Sequence, residues 1–290
     1  MLLPAFSLSA STVNNLQGDL NSDGMVDVAD ILSLIHYVLK GEWPPVQPSS
    51  VDKLMTVEAN GVSFNMVYVE PGSFVMGALD GDPDAFDKEY PSHQVSLSGF
   101  YIAQTEVTQE LWQAVMGYPH DIQAADPQCP VDRVAWTECQ TFITRLNELT
   151  GKTFRLPTEA EWEFAARGGV RGHGYPYSGS AVPDDVAWYS ANALDVGEEN
   201  PDYGIHPVAM KMANELGLYD MSGNVYEWCQ DRYGAYEAAV QTDPTGPVTG
   251  TDRVYRGGTW AYDARHCRVT YRNNCPPAFS IFCLGFRLAM

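Results

Sequence analysis

Residues 19–30, Asp-Leu-Asn-Ser-Asp-Gly-Met-Val-Asp-Val-Ala-Asp, place side-chain oxygens at loop positions one, three, five, nine and twelve: Asp19, Asn21, Asp23, Asp27 and Asp30. Met25 stands at position seven, where a backbone carbonyl would be offered, and Gly24 at position six, where such a loop turns sharply. Calcium takes several hard oxygen ligands on a short bent loop, and this spacing supplies them. Soft-metal and redox chemistry would need cysteine or histidine. The six cysteines, at 129, 139, 229, 267, 275 and 283, include no CxxC pair, which argues against a zinc ribbon. The six histidines, at 36, 93, 120, 173, 206 and 266, form no HxH or HxxxH pair.

Position twelve of the loop is Asp rather than Glu, and the run fits the pattern DxNxDGxVDxxD. Ile31, Leu32, Leu34, Ile35, Val38 and Leu39 follow at helical spacing, and Gly41 ends that helix. Residues 17–41 therefore resemble one repeat of a dockerin, a module built from two. The resemblance implies calcium binding and a cohesin-like partner. Residues 42–52 (Glu-Trp-Pro-Pro-Val-Gln-Pro-Ser-Ser-Val-Asp) read as a semi-extended Pro/Ser linker. Residues 1–16 open with an apolar stretch and a small-residue exit, as a signal-peptide remnant would, although no basic residue precedes it. A secreted or cell-surface location is the expectation.

The main domain is expected over residues 53–290. Phe64 to Val69 alternates, and Pro71 to Gly77 reads as strand, turn and strand. Three helix starts are legible. Thr108 precedes Gln109–Met116, closed by Gly117. Thr137 with Gln140 predicts a capping box for a helix carrying Phe142, Ile143, Leu146 and Leu149 on one face, closed by Gly151. Thr158 with Glu161 predicts another for Glu159–Arg167, stopped by Gly168 and Gly169, with Trp162, Ala165 and Ala166 facing the core. Beyond residue 170 short apolar pieces alternate with Gly, Pro, Asn and Asp, which reads as long loops and short strands.

Ordered blocks carry a second resemblance. They run from Met66 to Gly77, Glu89 to Val95, Glu106-Val107-Thr108, Pro130 to Trp136, Arg155 to Gly169 (RLPTEAEWEFAARGG) and Gly217 to Trp228 (GLYDMSGNVYEW). The last are Arg253 to Trp260 (RVYRGGTW), Arg265 to Arg268, Tyr271-Arg272 and Gly285-Phe286-Arg287. Together they resemble the formylglycine-generating enzyme, or sulfatase-modifying factor, family. The resemblance implies an α+β, C-type-lectin-like fold with little regular secondary structure, often carrying calcium. Asp220, the Gly223 and Val225 carbonyls and Glu227 match one calcium site of that family, and two carboxylates with two carbonyls on a tight turn suit a hard cation. Asn192 and Ala193, with Asp202, could match a second. The RLPTEAEWEFAARGG block reads as architecture, a buried Arg–Glu network pinning a helix against loops.

The family's oxidase chemistry holds copper(I) between two thiolates five residues apart. Cys267 matches the second and Tyr262 stands at the first, with Thr259 nearby on the same loop. A phenol is a harder ligand with a pKa of about 10, poorly suited to copper(I). The chain is therefore expected not to convert cysteine to formylglycine at a normal rate, and to act as a calcium-stabilised binding or accessory domain. Its ligand would be a peptide, glycan or protein met by loops. The alternative is an oxygen-dependent oxidoreductase with an altered metal site using Cys267. With 37 acidic against 17 basic residues the net charge is −20, which excludes a phosphate backbone as the natural partner. No apolar run reaches the roughly 18 residues of a membrane-spanning helix.

Overall fold

The computed structural model describes residues 53–120 and 126–290. The loop ligands Asp19, Asn21, Asp23, Met25, Asp27 and Asp30, the helix after them, the linker 42–52 and the segment 1–16 lie outside the described residues. The chain divides after Leu54 into two units, of which the second, Met55–Met290, is the one described below.

In chain order the strands are β1 (Leu54–Ala59), β2 (Val62–Val69), β3 (Gly72–Met76), β4 (His93–Leu97) and β5 (Phe100–Ala103), then β6 (Tyr226–Arg232), β7 (Gln241–Thr242), β8 (Arg253–Arg256), β9 (Arg272–Cys275) and β10 (Leu284–Gly285). The helices are α1 (Gln109–Met116), α2 (Trp136–Thr150), α3 (Glu159–Ala166) and the single turn α4 (Pro183–Val186). Three small sheets have the orders β1-β2-β5, β3-β4-β7 and β10-β6-β8-β9. Antiparallel β2 and β5 set Met66 opposite Ala103 and Val69 opposite Phe100. Between residues 187 and 225 the chain has no strand, only a π-helical turn at Ser190–Leu194.

The helix ends follow local chemistry. Thr108 Oγ1 accepts the Leu111 N–H at 3.2 Å and Gly117 closes α1 in the left-handed conformation. Thr158 and Glu161 form the expected reciprocal box, at 3.2 and 2.8 Å. That helix stops at Ala166, with Arg167 as its cap, one residue short of the expected end. The start of α2 differs from the sequence expectation. Ala135 is the N-cap, and its N–H donates to the Glu138 carboxylate at 2.7 Å, so Thr137 lies inside the first turn. A carboxylate three residues on can hold the backbone of any capping residue, so no Ser or Thr is needed. Phe142, Ile143 and Leu146 are buried, but Leu149 is 47% exposed. Arg145 Nη1 already reaches the Met116 carbonyl at the end of α1, so the last turn of α2 overhangs its partner.

Two apolar clusters make the core. In one, Trp112 of α1 stacks on Phe142 of α2 with centroids 5.4 Å apart, and Phe286 meets Phe142 edge-on at 5.3 Å. In the other, Trp162, Phe164, Ala165 and Ala166 of α3 pack on Val69, Val95, Ile102 and Val254. All eight residues of α3 are buried. The last residues are stitched into the interior. Ala289 exchanges backbone hydrogen bonds with Arg155 at 2.8 and 2.9 Å, Met290 does so with Tyr101 at 2.9 Å each way, and Leu288 accepts from Ala103.

Candidate binding cleft and acidic cluster

The arginines of the C-terminal blocks first explain the frame. Four of them point inward at a carboxylate: Arg256 to Glu163, Arg268 to Glu89, Arg272 to Glu159 and Arg287 to Glu227. Arg272 and Arg287 bind theirs through two nitrogens at 2.6 Å, the bidentate geometry in which guanidinium is strongest. Glu159 and Glu163 both belong to α3, and Glu161 on the same helix pairs with Arg155 at 2.6 Å. The RLPTEAEWEFAARGG segment is thus the buried ion-pair spine that joins α3 to β8 and β9.

That frame holds the loop from Gly257 to Cys267. Gly258 adopts φ 78°, and a Cβ on it would come within 2.6 Å of the Cys267 sulfur. Cys267 is fully buried, its thiol pushed up to about 12 by that burial, with the Thr259 N–H directed at the sulfur. Thr259 is also buried, donating from its hydroxyl to the Asn224 carbonyl at 3.1 Å. Tyr262, by contrast, is 45% exposed. None of the six cysteines is paired.

Tyr262 stands at the rim of a cavity of about 380 Å³ whose wall is Tyr226, Tyr255 and Tyr271, with Asn273, Ser280, Ile281 and Phe282 completing it. Tyr226 lies 4.9 Å from Tyr255 and 6.0 Å from Tyr262, centroid to centroid. Burial raises the Tyr226 phenol and pushes Tyr271 up to about 12, so both are neutral hydroxyls at ordinary pH. Behind the rim, the His266 ring is 5.2 Å from Tyr262, and its Nδ1 is 2.8 Å from Asp263. Lys88 sits over the Tyr271 ring at 4.6 Å, and its amine is pushed down to about 8, mainly by burial. Apolar faces edged by phenol, amide and hydroxyl groups suit a ligand that stacks and accepts a few hydrogen bonds. Sequence reading found Tyr262 but none of its partners; spacing alone does not bring β6, β8 and β9 together.

The 220–227 turn leads to a second site. Asp220 is buried and its Oδ2 accepts the Ala209 N–H at 2.7 Å. Glu227 is fully buried, its oxygens taken by Arg287 and by the Trp162 Nε1–H at 2.7 Å. Glu106, between β5 and α1, is 2% exposed, and neither carboxylate oxygen has a hydrogen-bond partner. Burial, then the charges of Asp220 and Glu227, holds the Glu106 carboxyl well above the usual range. Asp220 is pushed up to about 6, again chiefly by burial. Gly223 and Val225 are buried on the same turn. Glu106 lay inside a recognised sequence block, yet only its burial reveals it.

The second candidate cation set lies on the π-helical turn and the loop after it. The Asn192 amide nitrogen donates to Asp184 at 3.1 Å and to the Ala187 carbonyl at 3.0 Å, the Ala193 carbonyl accepts from Gly204, and Asp202 is exposed. Among the described residues no group of three or more His, Cys, Asp or Glu is gathered as a metal-binding set. No helix among them is long and apolar enough to cross a membrane.

Short sheets, long ordered loops and a C-terminal segment threaded through the centre define an α+β domain of the C-type-lectin-like fold. The chain belongs to the sulfatase-modifying factor enzyme 1-like domain family, which matches residues 53–290. It is 37% identical to the formylglycine-generating enzyme of Thermomonospora curvata, over 77% of this chain and 69% of that one. It is 33% identical to the chaperone protein LppX of Paenibacillus barcinonensis, over 72% of this chain and 83% of that one. It spans 37% of the serine/threonine-protein kinase pkn1 of Chlamydia caviae, at 32% identity over 77% of this chain. Among solved structures, Treponema denticola variable protein 1 superposes with a TM-score of 0.70 and 32% identity, covering 81% of this chain and 98% of that one.

Proposed function

We propose that this chain is a binding or accessory member of its family, one that does not oxidise cysteine to formylglycine at a normal rate and that acts outside the cell. One observation carries the reading: the pair of positions that would hold copper(I) presents one thiol, sealed in the core at Cys267, and one exposed phenol at Tyr262. Copper(I) prefers two soft thiolates, so this donor pair does not fit the ion. Tyr262 instead borders a tyrosine-lined cleft of about 380 Å³, sized for an aromatic or sugar ring or a stretch of peptide.

Calcium is the cofactor in this reading. At the described turn, Asp220 and Glu227 with the Gly223 and Val225 carbonyls are the oxygen donors this reading assigns to calcium. The 19–30 loop would hold another calcium and could present a surface to a cohesin-like partner. The Met1–Ala10 stretch supports export.

The test is an aerobic assay with copper and a CxPxR-type sulfatase peptide, read by mass spectrometry. No product is expected from the wild type. Turnover at an ordinary enzymatic rate, on the order of 10 per second, would overturn the reading. Product gained only by Tyr262→Cys would identify Cys267 as half of a lost copper site. In a parallel glycan and peptide array, Tyr262→Ala is expected to abolish binding while leaving the melting curve unchanged.

A further inference from the structure

We propose that the cavity of about 490 Å³ between α3 and the 234–247 loop is a second ligand site, one that takes a small organic amine and seats its ammonium on Asp231. The cavity shares no lining residue with the tyrosine cleft, and its size falls within the range of small-molecule sites. Asp231, near the end of β6, lines it and is 4% exposed. Its hydrogen bond from the Glu159 N–H falls on Oδ2 at 2.9 Å, which leaves Oδ1 to accept from a ligand. The guanidiniums around it are engaged elsewhere. Arg272 gives two nitrogens to Glu159, Arg256 pairs with Glu163, and Arg253 donates to the Gln230 carbonyl while stacked on Trp136. A buried carboxylate without a cation is costly, and an ammonium supplies one.

The rest of the wall fits an ammonium on a short apolar chain. The His93 Nδ1 is 3.1 Å from the Pro91 carbonyl, which can only accept, so the neutral ring holds its proton there and offers Nε2 as a second acceptor. Met76, Val240 and Pro244 supply apolar surface. A divalent metal fits less well, because no three acidic, histidine or cysteine side chains are gathered as a metal-binding set among the described residues. An anion is opposed by Asp231 itself, by the exposed Glu237 of the same wall and by a net charge of −20. Two close approaches hold the loop over the site: a Cβ on Gly246 would come within 2.8 Å of the Asp231 Cβ, and one on Gly234 within 2.9 Å of Pro247. Burial, then the charge of Glu159, pushes the Asp231 carboxyl up to about 8; Glu161 on α3 adds to the rise, and the Glu159 N–H and Arg272 oppose it. His93, Tyr236 and Glu237 are the other titratable groups of the wall. An ammonium binds the ionised carboxylate and expels its proton, so binding strengthens as pH rises through about 8.

Titration of the full chain with n-butylammonium, followed by amide NMR shifts, tests this. Saturable shifts are expected at Gly234 and Gly246. An alkylammonium stays charged at these pH values, and its affinity is expected to rise about tenfold from pH 7 to 9 as Asp231 ionises. The neutral analogue 1-butanol is expected to bind about tenfold or more weakly. Asp231→Asn keeps an acceptor for the Glu159 N–H; it is expected to weaken n-butylammonium by about tenfold or more and to abolish the rise with pH. Equal binding of 1-butanol, unchanged affinity in Asp231→Asn, or shifts that do not saturate at Gly234 and Gly246 would each overturn the proposal. Should Asp231→Asn not fold, Val240→Lys at an exposed position of the wall is read instead. Its own ammonium competes for the site and is expected to weaken n-butylammonium by about tenfold, and unchanged affinity would overturn the proposal.

Discussion

A guanidinium sealed beside a carboxylate is stable only as long as both are present. Arg256 and Glu163 are fully buried, so removing one leaves the other charged in a medium that cannot solvate it. Glu163→Gln is expected to cost about 3–5 kcal/mol, read from the shift in urea midpoint. Asp231 shows a different residue-scale effect. It lines a cavity of about 490 Å³ between α3 and the loop after β6, and burial pushes its carboxyl up to about 8. Its folded value thus exceeds the roughly 3.9 of an unfolded Asp. The native state binds this proton more tightly, so the contribution is complete below about pH 4 and is lost as pH rises through about 8. Asp231→Asn keeps an acceptor for the Glu159 N–H, which Asp231 meets at 2.9 Å, and is expected to flatten the fall in stability between pH 5 and 9. An unchanged slope in thermal melts across that range would contradict the assignment.

At the scale of elements, α3 rests on its reciprocal cap and on ion pairs from three of its residues. Thr158→Ala removes the side-chain acceptor for the Glu161 N–H and is expected to cost about 1 kcal/mol, seen as a lower denaturant midpoint with an unchanged slope. The start of this element was legible in sequence, because Thr158 and Glu161 are local signals, while its burial on every face was not. The start of α2 was not, since Glu138 caps Ala135 through the backbone and leaves no marker at the capping position. Nor was the exposure of Leu149, which depends on where a neighbouring helix ends. The cleft divides in the same way. Tyr262 and Cys267 could be picked out from the resemblance of their loop, but their opposite fates, rim and core, follow from packing around Gly258. A Cβ at residue 258 would strike the sulfur. Gly258→Ala is accordingly expected to destabilise more than Thr158→Ala, and Cys267→Ala added to it should not recover the loss, because the new Cβ would also meet the Cys267 Cα at 2.7 Å and the His266 carbonyl oxygen at 2.8 Å.

For the whole molecule, the resemblance carried by the ordered blocks was sufficient to anticipate an α+β lectin-like fold. What remained hidden was which block pairs with which. Charge sums cannot show that four arginines within 32 residues meet Glu163, Glu89, Glu159 and Glu227, which lie 60 to 179 positions upstream by the structure's pairings. These long separations have a temporal meaning. During synthesis the chain emerges at about 5–20 residues per second, and each of these four carboxylates leaves the ribosome before its C-terminal guanidinium partner. Glu227 waits for Arg287, and Arg155 waits for Ala289. Until residues 284–290 are free, β6 has β8 on one side but lacks β10 on the other, and the lectin-like core has an open seam. A nascent chain stalled short of that point is consequently a client for chaperones, and the domain closes in one late step rather than piece by piece.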